Sequence, residues 1–169
     1  MSRPFHARCL GLLMLASIFS SCGLYTPYGA STSGATTFTV LPFEVIDPLA
    51  SASVALGLAE NLRDRIQRQT TLAIEEEGGE CQFQADIVKY QVTPVNVQGD
   101  ETAATNRLTI VLDVTYHNDK APDDGFRRTF SRFADYPSSS DLFALEDELV
   151  EEIADQISQD IFNASLGNW

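Results

Sequence analysis

The feature that most constrains the fold is an alternation of apolar and polar side chains within residues 106–117, the clearest in the chain. Its apolar members are Leu108, Ile110, Leu112, Val114 and Tyr116. Successive side chains of a strand point to opposite faces, so this pattern predicts a strand with one buried and one polar face. The buried face must be covered by an apolar layer of other elements.

A second pattern, near the end of the chain, has the spacing of a helix rather than a strand. Its apolar stripe comprises Leu142, Leu145, Leu149, Ile153, Ile157 and Ile161. Ser140 or Asp141 can cap its first turn, and the acids gathered in its first half suit the helix dipole. We predict an amphipathic helix with one face against the sheet and its acids in solvent.

The remaining segments complete an alternation of strands and helices. We predict strands at residues 37–43, 70–74, 82–97 and 126–136, a loop at 44–48 and a helix at 49–69. In the strand at 82–97 the apolar phase shifts by one residue, which predicts a β-bulge near Ile87–Lys89. This order predicts an α+β fold: a two-layer α/β sandwich with a mixed, mostly antiparallel sheet and both helices on one face.

The first 21 residues have the pattern of an export signal. Arg3 and Arg8 precede an apolar run at residues 9–19, and Ser20 and Ser21 precede Cys22. The run is too short to span a bilayer, which needs about 20 apolar residues. We therefore expect residues 1–21 to be a cleaved signal peptide.

Cys22 is the residue around which this segment is organised. A cysteine directly after two small residues is typical of a bacterial lipoprotein signal, although Phe19 stands where leucine is usual. Its sulfur would take a diacylglyceryl group, and its new amine a further acyl chain such as palmitate; two or three chains give a stable anchor. The alternative is an ordinary secreted protein with a free cysteine at its N-terminus.

The segments after Cys22 divide into a tether and one domain. Residues 22–36 are rich in Gly, Ser, Thr and Pro and predict a flexible lipidated tether; residues 37–169 predict the domain. Cys9 leaves with the signal and Cys22 becomes the first mature residue, so Cys81 has no obvious partner for a structural disulfide, and we expect it in the core. No Asp follows Cys22, so the inner-membrane retention signal of some bacteria is absent, and we expect the outer membrane.

The net charge of the chain limits the classes of partner that it can bind. The net charge is −13, and removal of Arg3 and Arg8 leaves nine basic against 24 acidic residues, or −15. Nucleic acids and anionic surfaces need clustered Lys and Arg, so we expect no nucleic-acid partner. The sequence has no HExxH, GxSxG, GxGxxG or Walker motif, and we expect no enzyme activity, no metal and no cofactor beyond the lipid.

Segments spread over nearly the whole mature chain resemble the LptE family of lipopolysaccharide-assembly lipoproteins, in its Bacteroidota branch. They include "CGLY", "TVLPF", "LRDRIQRQTTLAI", "YQVTPVNVQGDETAATNRLTI", "FSRFADY" and "DIFNASLGNW". The resemblance implies a lipoprotein of the Gram-negative outer membrane that plugs the LptD β-barrel and helps it assemble. It further implies a role in inserting lipopolysaccharide into the outer leaflet, with a two-helix α/β sandwich as the fold.

Two groups of residues are candidates for these contacts. Lipopolysaccharide phosphates require cations, and we expect Arg128 and Arg132 on one strand face, with Arg107, to bind them; the alternative is that these arginines are solvated or paired. The polar loop at 98–107 is a candidate contact with the barrel. Its candidate residues are Gly99, Asp100, Glu101, Thr102 and Asn106.

A second resemblance stays open at this point. "FTVLPFE" followed by "LGLAENLRDRI" is similar to the opening of CsgG/LpoB-type periplasmic lipoproteins, which bind secretion pores or cell-wall synthases. An exported hydrolase is a third possibility that no motif supports.

Overall fold

A computed structural model describes residues 30–95 and 104–167. Its strands are β1 (Thr37–Val40), β2 (Glu44–Val45), β3 (Ala73–Ile74), β4 (Cys81–Val95), β5 (Thr105–Asn118) and β6 (Phe126–Pro137). Its helices are α1 (Ala52–Gln69) and α2 (Leu142–Ser165), and a short 3-10 turn covers Pro122–Asp124.

The strands form one mixed sheet in the order β3-β1-β4-β5-β6, with β2 beside β4 beyond the end of β1. β1 pairs in parallel with β3 and β4, whereas β4, β5 and β6 are antiparallel to one another. Both helices pack on the same side, where one apolar cluster joins them to the sheet. The predicted α+β sandwich is therefore confirmed.

The alternating apolar residues of β5 form the centre of this core. All five are buried, with Leu108, Ile110, Leu112 and Val114 fully so. The predicted bulge is also present, because the register between β4 and β5 shifts between Ile87 and Lys89. A bulge at this point returns the apolar side chains of β4 to the helix side, which explains the phase shift in the sequence.

The helices begin at the residues that cap them. The hydroxyl of Ser51 accepts from the amide of Val54 at 3.3 Å, so α1 starts at Ala52 rather than at the predicted residue 49. The carboxylate of Asp141 accepts from the amide of Phe143 at 3.2 Å, which makes Asp141 rather than Ser140 the cap of α2.

Three strand or loop segments differ from the prediction, the first being the strand expected over residues 37–43, which ends at Val40. Residues 44 and 45 were expected in a loop, but they pair with Asp86 and Ile87 of β4 as β2. The strand expected from residue 70 begins only at Ala73, because the hydroxyl of Thr70 donates to the carbonyl of Ile66 and ends α1 there.

The two helices run in the same direction and meet through a buried cation. Arg65 of α1, 7% exposed, donates to the side chain of Gln159, to the carboxylate of Asp155 and to the carbonyl of Asp155. Nearer the start of both helices, Gly57 faces Val150. These contacts fix the two helices side by side, with a groove between them on the side away from the sheet.

Candidate functional site

The three arginines expected to bind phosphate lie on two different sides of the sheet. Arg128 and Arg132 share the helix side of β6, as the sequence predicted from their spacing, and Arg107 of β5 lies on the uncovered side. The parity of the strands accounts for this: β5 buries its even-numbered residues, so odd-numbered Arg107 points away from the helices.

Arg107 is engaged by a neighbouring carboxylate. Its Nε and Nη2 donate to the two carboxylate oxygens of Asp135 at 2.7 and 2.8 Å, directly across the strand pair. The guanidinium also lies 3.6 Å from the ring centroid of Phe133. The hydrogen bond from Arg107 lowers the pKa of Asp135, so the pair stays ionised. Arg107 therefore belongs to an ion pair and is not a free cation.

Arg132 and Arg128 differ in how far they are neutralised. Arg132 reaches α2 and contacts the carboxylate of Asp160 at 2.7 Å. Arg128 lies with its guanidinium 5.0 Å from the ring centroid of Phe126. Among the residues that the structure describes, no carboxylate lies within ion-pair distance of Arg128, which makes it the least neutralised of the three candidates.

Of the candidate barrel-contact residues, only Asn106 lies in the part of the chain that the structure describes. Gly99, Asp100, Glu101 and Thr102 lie outside the described residues. Asn106 belongs to β5 rather than to a loop, because it pairs with Pro94 on one side and Tyr136 on the other. The strand had been expected to begin at that residue, and its start at Thr105 shortens the polar loop.

The chain enters the domain at the opposite end of the sheet. Ala30 forms a bridge with Gly167, and the amide of Ser31 donates to the carbonyl of Leu166 at 2.7 Å. Ala35 is buried in the core. Residues 30–36, which the sequence assigned to the tether, therefore contact the domain next to the C-terminal end of α2.

Glu80 holds this entry point. It accepts from the Lys120 ammonium at 2.8 Å and from the amide and hydroxyl of Thr36 at 2.7 and 3.0 Å. These hydrogen bonds, that of Lys120 foremost, lower the pKa of Glu80 to about 2. Sequence reasoning missed this contact, since nothing in the pattern around residue 80 marks a long-range partner.

A groove on the outer surface of the helix layer was also not predicted. This interhelical groove has a volume of about 230 Å³ between the first halves of α1 and α2. Its lining includes Ser53, Gly57, Asn61, Asp147, Val150 and Glu151. One signal could have drawn attention to this surface: α2 carries seven acids and no base over 24 residues.

The cysteine and histidine side chains do not gather into a reactive cluster. Cys81 is buried beside the hydroxyl of Tyr116 at 3.6 Å, as expected for a core residue, and burial raises the pKa of its thiol. His117 is exposed and contacts Asp119 at 3.0 Å. Within residues 30–95 and 104–167, no three His, Cys, Asp or Glu side chains are placed to hold a metal ion. Neither α1 nor α2 combines the length and the apolar character that crossing a membrane requires.

Comparison with known proteins identifies the family. The model of the LptE family, described as lipopolysaccharide-assembly, matches residues 37–165. The chain belongs to the LptE family. The match spans every strand and both helices, so it confirms the first of the two lipoprotein resemblances read from the sequence.

Solved structures with a similar chain trace include other lipoproteins. The rare lipoprotein B from Shewanella oneidensis matches with 12% identity and a TM-score of 0.48, over 75% of this chain and 92% of its own. The minor lipoprotein from Acinetobacter baumannii matches with 14% identity and a TM-score of 0.43, over 76% of this chain and 91% of its own. No curated protein sequence matches the chain. Membership of the family therefore rests on the family match.

Proposed function

We propose that this LptE-family chain is a lipid-anchored protein of the outer membrane that plugs an LptD-type barrel. In this role it helps the barrel assemble and assists the insertion of lipopolysaccharide into the outer leaflet. The observation that carries the proposal is the family match over residues 37–165, which spans the entire sandwich. The protein acts by binding, without catalysis and without a cofactor other than the lipid on Cys22.

The placement of the chain entry supports an anchored domain. Residue 30 lies beside the C-terminal end of α2, and residues 22–29 span at most about 28 Å when fully extended. The strand ends that flank the polar loop, Val95 and Thr105, lie at the other end of the sheet. The lipid would thus hold one end of the domain near the membrane and leave the loop end free to meet the barrel.

Depletion of the protein tests the transport role. We expect lipopolysaccharide to accumulate before the outer leaflet, measured by surface labelling of intact cells, and re-expression of the chain should restore it. Normal surface delivery in depleted cells would contradict the proposal.

The anchor and the plug need separate tests. Cys22→Ala should leave an unprocessed precursor without lipid, detected by mass and by metabolic labelling with a fatty acid; processing at the same bond would refute lipidation. Removal of residues 99–104 should reduce co-purification with the barrel while the thermal melt of the domain is kept. Full recovery of the barrel with that variant would show that the loop is not the contact.

The three candidate arginines differ in whether a phosphate must displace a carboxylate in order to bind them. Among the described residues, Arg128 has no paired carboxylate to give up, whereas Arg107 and Arg132 must exchange Asp135 and Asp160 for a phosphate. We expect Arg128→Gln to weaken lipopolysaccharide binding by about fivefold or more. Arg68→Gln is the matched control, because it removes the same charge from the exposed surface of α1. Equal weakening by both variants would show that Arg128 acts only through the net charge.

A further inference from the structure

We propose that the interhelical groove is a docking site for a cationic amphipathic helix of a partner protein. The groove lies on the outer surface of the helix layer, across that layer from the sheet and from the arginines of β6, so this partner is distinct from the lipopolysaccharide ligand proposed above. The proposal stands on the charge of α2, on the glycine in α1 and on the shape of the groove.

The wall formed by α2 carries carboxylates that the fold does not neutralise. Within the described residues, no cation lies within ion-pair distance of Asp147, Glu148 or Glu151. At the far end the groove continues to Arg68, which is itself paired with Asp64 at 3.7 Å. A ligand in the groove therefore meets a row of free negative charge.

This row of acids works against the helix that carries it. Glu148 is three residues before Glu151 and four before Glu152, and Asp147 is four before Glu151. Like charges at these spacings destabilise a helix. The dipole at the helix start favours acids only within about the first turn. The first turn of α2 contains no acid, so the expectation that these acids suit the dipole was wrong. A cation supplied from outside would remove the repulsion, which is the charge complementarity on which the choice of partner rests.

The opposite wall contains a glycine that the fold does not require. Gly57 lies in the interior of α1, where glycine is less favourable than alanine. A Cβ atom at this position would meet only Val150 Cγ1 at 3.9 Å, an ordinary contact. The bare backbone at Gly57 keeps the groove open, and it makes room for an apolar side chain from outside.

The shape of the groove suits a helix rather than a small molecule. The groove is elongated along both helices, because the depression that continues it to Arg68 shares Asn61 and Glu151 with it. Phe143, 86% exposed, lies one turn before Asp147 on the same side of α2 and extends the apolar surface beyond the groove. Helices bind helix-lined grooves through one apolar face, and lysines or arginines beside that face would meet the acids.

Other occupants are disfavoured by the same charge. Lipopolysaccharide is anionic and would be repelled by Asp147, Glu148 and Glu151. A second copy of this chain, with a net charge of −13, would also bring like charge to the groove.

The test uses the full chain and a pair of synthetic helical peptides of about 18 residues, labelled for fluorescence anisotropy. One peptide has a leucine face and lysines elsewhere, and the other has glutamates in place of the lysines. We expect the lysine peptide to bind and the glutamate peptide not to bind at about 0.15 M salt. Absence of binding by the lysine peptide would overturn the proposal.

Two pairs of variants separate the groove from general attraction to an acidic protein. The double variant Asp147→Asn, Glu151→Gln should weaken binding of the lysine peptide about fivefold. The matched double variant Glu76→Gln, Glu77→Gln removes the same charge from an exposed turn and should leave binding within about twofold. Equal weakening by the two double variants would reduce the interaction to diffuse electrostatics and refute the site.

Gly57 provides the steric test. Gly57→Leu should fill the groove and weaken binding of the lysine peptide about tenfold. Gly57→Ala should bind the peptide as tightly as the unmodified chain does. Both substitutions favour the helix, so a thermal melt distinguishes a blocked groove from a damaged fold. Retained binding by Gly57→Leu would place the peptide elsewhere. A dimer of the full chain that Gly57→Leu abolishes would assign the groove to a second copy and equally overturn the proposal.

Discussion

Gly79 is the position where one added methyl group should damage the fold most directly. It precedes β4 and lies against the backbone of β1. A Cβ atom built there would lie 2.5 Å from the carbonyl carbon of Phe38, 2.7 Å from the amide nitrogen of Thr39 and 2.8 Å from its Oγ1. All three distances are below those that real Cβ atoms show, and two of the three atoms belong to the backbone, which cannot rotate away.

The structure allows the cost of Gly79→Ala to be worked out. Overpacking of a closely packed site typically costs about 1–3 kcal/mol, and contact with backbone favours the upper end. The amide of Gly79 also donates to the hydroxyl of Thr39 at 2.9 Å, and that hydroxyl donates to the carbonyl of Glu75. Displacement of β1 would weaken these hydrogen bonds, each worth about 1 kcal/mol. We expect a loss of about 3–4 kcal/mol in the free energy of unfolding.

The assay is urea denaturation followed by circular dichroism, with Gly57→Ala as the matched control. The same substitution at Gly57 meets only Val150 at 3.9 Å and should stabilise the protein by up to about 1 kcal/mol. One chemical change thus has opposite signs at two sites. A free energy of unfolding for Gly79→Ala within about 0.5 kcal/mol of the unmodified protein would refute the steric reasoning.

Three further predictions concern hydrogen bonds, of which two join distant parts of the chain and one caps α2. Glu80 has a folded-state pKa of about 2 against an ordinary value of 4.5, so its contribution to stability is present above pH 4.5 and is lost as the pH falls toward 2. Glu80→Gln should therefore be less stable than the unmodified protein at pH 7, and the difference should shrink in melts at pH 3; a constant difference would contradict the assignment. Tyr90→Phe removes the hydrogen bond from the Tyr90 hydroxyl to Glu146 at 2.6 Å. It should lower the free energy of unfolding, measured by urea denaturation, by about 1–2 kcal/mol. An unchanged midpoint would show that the bond contributes nothing. Asp141→Ala removes the cap of α2 and should cost about 1 kcal/mol, while Asp141→Asn, which can still cap, should keep most of the stability.

The sequence predicted those parts of the fold in which a pattern repeats over several residues. The alternation in β5 and the stripe of α2 each supply five or more side chains of one period, so the buried face follows directly from geometry. The bulge was also visible, because a slip of one residue in β4 moves every later apolar side chain to the other phase.

The sequence did not predict very short strands or contacts between residues that lie far apart in the chain. β2 has two residues, and its place is set by hydrogen bonds to β4 at the bulge: the amides of Ile46 and Asp47 donate to the carbonyl of Ile87 at 3.1 and 3.0 Å. No period can appear in two residues. The proximity of Glu80 to Thr36 likewise depends on how β1 and β4 pair, which the local sequence does not encode.

The arrangement of the candidate phosphate-binding arginines could also be predicted only in part from the sequence. Strand spacing placed Arg128 and Arg132 on one face of β6, and the parity of β5 would have placed Arg107 on the face of β5 opposite its buried residues. The register between the two strands was needed to show that these are different sides of the sheet. The alternation within β6 is too mixed to say which of its faces is buried, because an edge strand buries less of its surface than a central one. The partners Asp135 and Asp160 come from the register and from the packing of α2, so the neutralisation of Arg107 and Arg132 could only be read from the structure.

The distribution of charge reconciles an acidic protein with an anionic ligand. Seven of the 24 acids lie on α2, which has no base, whereas Arg107, Arg127, Arg128 and Arg132 lie on the two adjacent strands at the edge of the sheet. Exposed charges act over roughly 10 Å at physiological salt, so the acids on the far side of the helix layer do little to the field at β6. A phosphate approaching β6 would therefore meet mainly arginines and the aspartates paired with them. Since a phosphate can replace a carboxylate without loss of guanidinium hydrogen bonds, those pairs lower the affinity at the edge but do not close it to an anion.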